Sequence, residues 1–369
     1  MKAGWERVAL GTAFTTVTGG TPPKSNNGFY GDFMPLVKPP ELCDAELDSA
    51  EDGLSETGAA VARTAPSNSI LVSCIGNLGK IGLNTVPVAF NQQINAILPN
   101  EGKALPSLMF YQVLSCSFKG QLEALASGTT VPIVNKSKFN SIEIVLPPLP
   151  EQQRIVGILD EAFASIATAR AAAEQNRHNA RALFESVLSS FGGETAALGD
   201  YVTIKTGKLD ANAAVEGGTY PFFTCAKEIY AIDNYAFDCE AILLAGNNAV
   251  GDFNVKHYSG RFNAYQRTYV ITISDESRLL YRFLYFQMLK SLRRFKEQSV
   301  GSGTKFLKLG MIKDLEITLP SLEEQRRIVL TLDTVLEETQ NLEALYQRKL
   351  NALDELKQSL LHQAFSGQL

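Results

Sequence analysis

Apolar positions recur every three or four residues along two long stretches of this chain, and both stretches open on nearly the same phrase. The first opens IEIVLPPLPEQQRIVGILD (Ile142 to Asp160), the second LEITLPSLEEQRRIVLTLD (Leu315 to Asp333). At a constant offset of 173 residues, Leu146, Pro147, Leu149, Glu151, Gln152, Arg154, Ile155, Val156, Leu159 and Asp160 each meet an identical residue. So long a period is no solenoid unit of ~20–50 residues; a whole domain has been duplicated together with a long helix. In the first copy Ile155, Leu159, Ala162, Ile166, Ala169, Ala173, Asn176, Ala180, Leu183 and Val187 step by four and three without a slip. In the second, Ile328, Leu332, Val335, Thr339, Leu342, Tyr346, Lys349, Leu353, Leu356 and Leu360 do the same. A seam of period 3.5 predicts a left-handed coiled coil in which the two helices are each other's partner. The prolines stop at Pro150 and Pro320, where a helix starts sharply, and Ser321 with Glu324 has capping-box spacing.

The first seam is rich in alanine and the second carries leucine and tyrosine, so small faces large. Antiparallel pairing about the midpoints sets Asn176 against Thr339, Ala173 against Leu342 and Ala169 against Tyr346. A parallel register sets Asn176 against Lys349. Both directions satisfy the pattern.

Outside the helices the periodicity changes. Ile70 to Leu83 reads as a buried strand, a glycine turn and a second strand, with a counterpart at Ala241 to Phe253. Phe90-Asn91 and Phe262-Asn263 each precede an alternating strand, and Leu108 to Leu125 and Leu279 to Lys296 have helical periodicity. Leu198 to Leu209 repeats the Leu-Gly and Thr-Gly spacing found between Trp5 and Pro22. The fold class is therefore α+β: two mixed globular domains, residues 1–141 and 194–314, each followed by a helical spacer, residues 142–193 and 315–369. A chain of 369 residues is long enough for each domain to bury its own core.

Composition narrows the class. Five cysteines, no two at Cys-x-x-Cys spacing, argue for reduced thiols in a cytoplasmic protein and against a zinc site. No apolar run has membrane-spanning length, and Met1 to Phe14 lacks a signal-peptide core, so no membrane partner is expected. The turn Gly76-Asn77-Leu78-Gly79-Lys80 lacks the spacing of a phosphate-binding loop. No Gly-x-Gly-x-x-Gly sits between a strand and a helix, and the Asn/Asp-Pro-Pro-Tyr/Phe tetrapeptide of amino-methyltransferases is absent. His178, His257 and His362 are scattered, with no nucleophile or metal-ligand spacing around them. The expectation is a protein with no catalytic, cofactor or metal site of its own.

The net charge of −5 announces nothing, but its distribution does. Acids cluster from Glu41 to Glu56 with no base among them; the rest of the first domain is basic, with Lys24, Lys38, Arg63, Lys80, Lys103, Lys119, Lys136 and Lys138. The second domain is densest at Lys290, Arg293, Arg294 and Lys296, before Gly301 to Thr304, Lys305 and Lys308. Ser127 to Thr130 occupies the matching place in the first domain. Small hydroxyl residues and free backbone amides beside Lys and Arg suit phosphate oxygens. Lys24, Asn26, Lys80, Asn91, Gln92, Lys136 and Lys138, with Asn247, Asn248, Arg267, Arg293, Arg294, Lys296, Lys305 and Lys308, form the expected nucleic-acid contact set, with Asn, Gln and Arg able to read base edges. Helices of about 40 residues span roughly 60 Å, and B-DNA repeats every ~34–36 Å, so two domains on such a spacer suit a split, asymmetric target on double-stranded DNA. Outward residues early in the helices, Gln152, Arg154, Gln325 and Arg326, are the expected partner interface.

Taken together, LPPLPEQQRIVGILD, LPSLEEQRRIVLTLD, ILVSCIGNLGKIGL, GRFNAYQRTYVIT and the ending LKQSLLHQAFSGQL resemble the specificity subunit of type I restriction-modification systems along essentially the whole chain. The resemblance implies two target-recognition domains related by pseudo-two-fold symmetry and separated by two helices packed as an antiparallel coiled coil. It also implies a subunit without its own activity, docked to two methyltransferase subunits that use S-adenosylmethionine to methylate adenine N6. Restriction subunits, with ATP and Mg, would join for cleavage. The first helix ends SSFGG where the second ends HQAFSG, a departure of one residue. A stand-alone DNA-binding scaffold, or the specificity subunit of a fused restriction-methylation enzyme, are the alternatives.

Overall fold

The computed structural model describes every residue except 1, 3 and 129. It divides into two compact units: residues 1–173 with 348–369, and residues 174–347. Each holds one globular part, a stretch of the first long helix (Leu149–Ser190) and a stretch of the second (Leu322–Ser366).

In the first unit a five-stranded sheet runs in the order Thr16–Thr18, Ile94–Ile97, Ile70–Ser73, Ile81–Asn84, Ala45–Leu47, beside a four-stranded sheet built on Tyr30–Val37 and Val88–Phe90. Ile70–Ser73 and Ile81–Asn84 pair antiparallel and are buried on both faces, which is why they read as continuous apolar runs rather than alternating ones. Glu6–Ala9 pairs antiparallel with Glu143–Leu146, so the strand that feeds the first long helix is tied into the globular part by the chain's own beginning. The second unit repeats the device with Thr195–Ala197 and Glu316–Thr318. Its six-stranded sheet centres on Phe237–Ala245, flanked by Thr268–Ile273 and Val255–Ala264.

A domain helix follows each sheet. In the second unit it is one piece, Tyr281–Gln298, burying Phe283, Leu284, Phe286 and Phe295. In the first it breaks at Ser115, whose hydroxyl caps Cys116–Ala124 after Pro106–Leu114 has ended.

The long helices run antiparallel within each unit. In the first, Arg170 pairs with Asp354 at the helices' waist, while Arg154 donates to the carbonyl of Leu369 at 2.7 Å. In the second, Arg177 meets Gln347 and Arg181 meets Glu343. The midpoint pairing is corrected: Arg177 beside Gln347 leaves Asn176 more than two helical turns from the level of Thr339.

The uninterrupted heptad is corrected too. Ile155, Leu159, Ile328 and Leu332 are buried, Ile166, Tyr346 and Leu353 are half-buried, but Asn176, Leu183, Leu342 and Leu356 face outward. After Ile166 the inward face takes a step of four, to Arg170, Ala173, Arg177, Ala180 and Phe184. After Thr339, the matching residue, it steps likewise to Glu343, Tyr346 and Leu350. An α-helix drifts past a strict seven-residue repeat, and one extra four-residue step returns the stripe to the partner without further supercoiling.

The buried ends of both helices serve the globular cores as well. Ile155 and Leu159 share a cluster with Leu108, Ile144, Leu361 and Ala364; Ile328 and Leu332 share one with Leu188, Phe283 and Ile317.

Gln152 and Gln325 are not on an outward face. Each is essentially buried (1% and 0% exposed). The Gln152 carbonyl accepts from Leu105 N–H at 2.9 Å, and its amide donates to Lys103 and Pro147 carbonyls at 2.9 and 2.8 Å. Gln325 makes the same three bonds to Leu280, Arg278 and Pro320. An amide that satisfies three buried backbone groups serves the fold, so the partner-interface expectation fails for this pair. Arg154 and Arg326 remain exposed, the former paired with Glu151 at 2.8 Å.

Candidate nucleic-acid interface

One backbone frame occurs in both units. In the first, Ile94 N–H closes a turn on Asn91 O (3.1 Å), and in the second Thr268 N–H closes one on Tyr265 O (2.8 Å). Behind each turn sits a glycine: a Cβ at Gly19 would lie 2.2 Å from Asn91 O, and one at Gly207 1.8 Å from Ala264 O. The turn's third residue accepts from a neighbouring strand end, Gln93 O from Cys74 N–H (2.7 Å) and Arg267 O from Gly246 N–H (2.9 Å). That strand end in turn accepts from the segment after the domain helix: Val134 N–H on Cys74 O and Leu307 N–H on Gly246 O. The loops between, closed by the bridges Ser127–Ile133 and Val300–Phe306, turn on Gly128 (φ +107°) and Gly301 (φ +115°). Three loops thus meet along one rim of each unit.

The rims carry different side chains. In the first unit Gln92 is exposed and within 3.5 Å of the Thr21 hydroxyl, which links the loop bearing Lys24 to the turn. Lys24 and Lys136 are exposed and Lys80 half-buried. Several expected readers shape the loops instead: Asn26 Oδ1 accepts from Gly28 N–H, Asn91 donates to Gln93 Oε1 (3.1 Å), and Lys138 Nζ closes a helix end on Leu125 O (2.9 Å). Thr129 lies outside the described residues.

In the second unit the structure gathers the set more tightly. Asn247 and Asn248 pair with Phe306 and Lys305. The Arg267 guanidinium lies 5.3 Å over the Phe306 ring. Lys296 and Lys305 both approach Gly251, 3.3 and 3.5 Å from where its Cβ would stand. Asn248 Oδ1 accepts from Val250 and Asp252 N–H and so holds the Gly246–Gly251 turn in shape. Arg293 and Arg294 are exposed on the domain helix, the former 3.2 Å from Glu297, and Lys308 is exposed beyond the rim.

Pairing changes the electrostatic picture drawn from the sequence. The acidic run is bonded to bases: Lys38 pairs with Asp52, and Lys119 with Asp44 at 2.7 Å. These two lysines are thereby partly neutralised, and so is the run. Sequence reasoning missed Phe306 and Lys227, the latter 2.9 Å from Asp252. Phe306 was discoverable, since it lies at the repeat offset from Ile133, already part of a matched loop.

The remaining chemistry is sparse. Among the described residues no group of three or more His, Cys, Asp or Glu could hold a metal, and no helix is long and apolar enough to cross a membrane. The cysteines are free; burial pushes the Cys74 thiol up to about 12. His257 pairs with Glu240 at 2.7 Å. Rims of fixed loops bearing Gln92, Lys24 and Lys136 in one unit and Asn247, Arg267 and Lys305 in the other are suited to polar edges and phosphates.

Comparisons with known proteins place this arrangement. The type I restriction modification DNA specificity domain matches the chain twice, over residues 2–175 and 192–352. The type I restriction enzyme EcoDI specificity subunit of Escherichia coli is 40% identical over 176 residues, 48% of this chain and 38% of that protein. The StySPI specificity subunit of Salmonella potsdam is 20% identical over 426 residues, covering 99% of this chain and 89% of that one. This chain thus spans under two fifths of the EcoDI protein in the matching stretch, and likewise 37% of the HindI specificity subunit of Haemophilus influenzae. A chain from a structure concerning complex assembly and conformational transition of the type I R-M system shares the fold, with TM-score 0.81 at 20% identity, covering 100% of this chain and 99% of that chain. The HsdS subunit from Thermoanaerobacter tengcongensis follows with TM-score 0.55 at 20% identity, covering 100% and 98%. With both halves matched by the same family domain, this chain belongs to the type I restriction modification DNA specificity family.

Proposed function

We propose that this chain is the non-catalytic subunit that gives a type I restriction-modification complex its DNA sequence specificity. The rim of each unit reads one half of a bipartite, asymmetric site. The observation that carries this is one frame with two sets of side chains. Around a glutamine common to both turns (Gln92 and Gln266), Asn91 and Gln93 stand where the other unit has Tyr265 and Arg267, and Pro132 stands where it has Lys305. A duplicated scaffold with divergent rim residues is what two unlike half-sites require. The long helices, 42 and 45 residues, act as the spacer and dock two methyltransferase subunits that modify adenine N6 with S-adenosylmethionine. Restriction subunits supply the ATP- and Mg-dependent cleavage, and this chain binds no cofactor.

The test is to express the chain with its methyltransferase subunit in a methylation-free host and read modified adenines genome-wide. One split motif is the expected result, and exchanging residues 1–141 for those of a relative should alter one half only. Soluble, mutually bound proteins that leave no motif would sink the reading and favour a DNA-binding scaffold.

A further inference from the structure

We propose that Arg267 is the guanine-reading side chain of the second unit, with Phe306 as the platform that orients it. This rests on the reading that the rim contacts DNA, and it adds a residue and a base identity.

Arg267 is anchored at its backbone. Its carbonyl accepts from Gly246 N–H at 2.9 Å, and the turn around it is closed by Thr268 N–H on Tyr265 O at 2.8 Å. Gly246 cannot be larger, since a Cβ there would lie 2.4 Å from Arg267 O. The exposed guanidinium rests on the Phe306 ring, which is itself held by pairing with Asn247 and by Phe306 N–H on Val300 O at 2.8 Å. A cation on an aromatic face loses less side-chain freedom when it binds, and its donors stay available at the rim.

Its pairing distinguishes it from three other arginines of this unit. Arg261 is bound to Asp238, Arg282 to Asp333 and Arg293 to Glu297, whereas among the described residues no carboxylate pairs with Arg267. The guanidinium fork matches guanine O6 and N7, which present two acceptors side by side in the major groove. Lys296 and Lys305, both close to Gly251, supply charge for the flanking phosphates. The first unit cannot copy this. Gln93 stands at the matched turn position, its side-chain carbonyl accepting from the Asn91 amide, and Ile133 replaces the ring. Guanine reading by this device therefore belongs to the second half-site alone.

The experiment compares modified-adenine motifs for the wild-type chain, R267K and R267Q, each expressed with the methyltransferase subunit, after thermal melts confirm folding. R267K keeps charge and stem, so it reports on the fork even where R267Q fails to fold. The expected wild-type motif has an invariant guanine in the half that stays put when residues 1–141 are exchanged. Both variants should lose about tenfold or more of the preference for guanine at that one position, leaving the other half unchanged. An unchanged motif with methylation lowered evenly would make Arg267 a phosphate contact and overturn the assignment, as would a second half-site without guanine. A wild-type chain that gives no motif sinks the underlying reading, which is a different result.

Discussion

The Gln325 side-chain carbonyl accepts the Leu280 backbone N–H at 3.0 Å, joining the first turn of the second long helix to the residue that caps the domain helix. Its amide reaches back to Arg278 and forward to Pro320. One buried side chain thus sets the angle at which domain and spacer meet, and Gln152 repeats it. Replacing Gln325 with Leu leaves an N–H and two carbonyls unpaired in a buried place, at a cost of about 2–4 kcal/mol. Urea unfolding of Q325L should show a lower midpoint; an unaltered curve would mean that the three bonds are incidental.

Gly207 should be irreplaceable where Gly303 is not. A methyl group at Gly207 meets the Ala264 carbonyl oxygen at 1.8 Å, whereas nothing lies within 4 Å at Gly303. G207A is expected to cost about 3 kcal/mol and G303A under about 1 kcal/mol. Thermal melts of the two variants decide it, with equal melting points counting against the rim geometry.

The shifted seam makes neighbouring residues unequal. Leu183 is 53% exposed, while Phe184 packs on Phe286 with ring centroids 6.3 Å apart. L183E should leave stability within about 0.5 kcal/mol, and F184E should cost about 2 kcal/mol. The reverse order in a denaturant titration would restore the uninterrupted heptad.

Lys2 and Arg154 bracket Glu151, and their hydrogen bonds, Arg154 foremost, hold its carboxyl down from the ordinary 4.5 to about 2. A depressed carboxyl stabilises the fold above its unfolded value and loses that contribution as pH falls through the folded one. The gap between wild type and E151Q should therefore be full above about pH 5 and vanish near about pH 2. It should be small and salt-sensitive, because the group is partly exposed. Urea midpoints across this range test it; a gap that widened toward acid would contradict the sign.

Lys305 is cast as a phosphate contact. K305Q should weaken binding to cognate and unrelated duplex alike and lower the salt-dependence slope by about 1. A change confined to the cognate sequence would make Lys305 a base reader instead.

Much of this was legible along the chain. The offset repeat, the long helices and the strand–turn–strand at Ile70 to Leu83 rest on local periodicity, which a linear pattern records faithfully. The matched loops around Gly128 and Gly301 were legible because duplication copies the backbone requirement along with the residues. Gln152 and Gln325 misled because a polar residue early in a helix reads as outward; their partners lie 49, 47 and 45 residues away on the domain segments, or just ahead of the helix. The seam slip at Ile166 and Thr339 was hidden because alanine and threonine tolerate either face.

By itself, the sequence determined that this chain carries two copies of one domain and one helix, since side-chain periodicity and turn chemistry act over a few residues. Only the tertiary structure decided which charges are free and which side chains share a rim. Lys119 is held by Asp44 and Arg267 rests on Phe306 because folding brings together residues 75 and 39 positions apart. Pairing energies depend on distance in space, and no local pattern carries that distance.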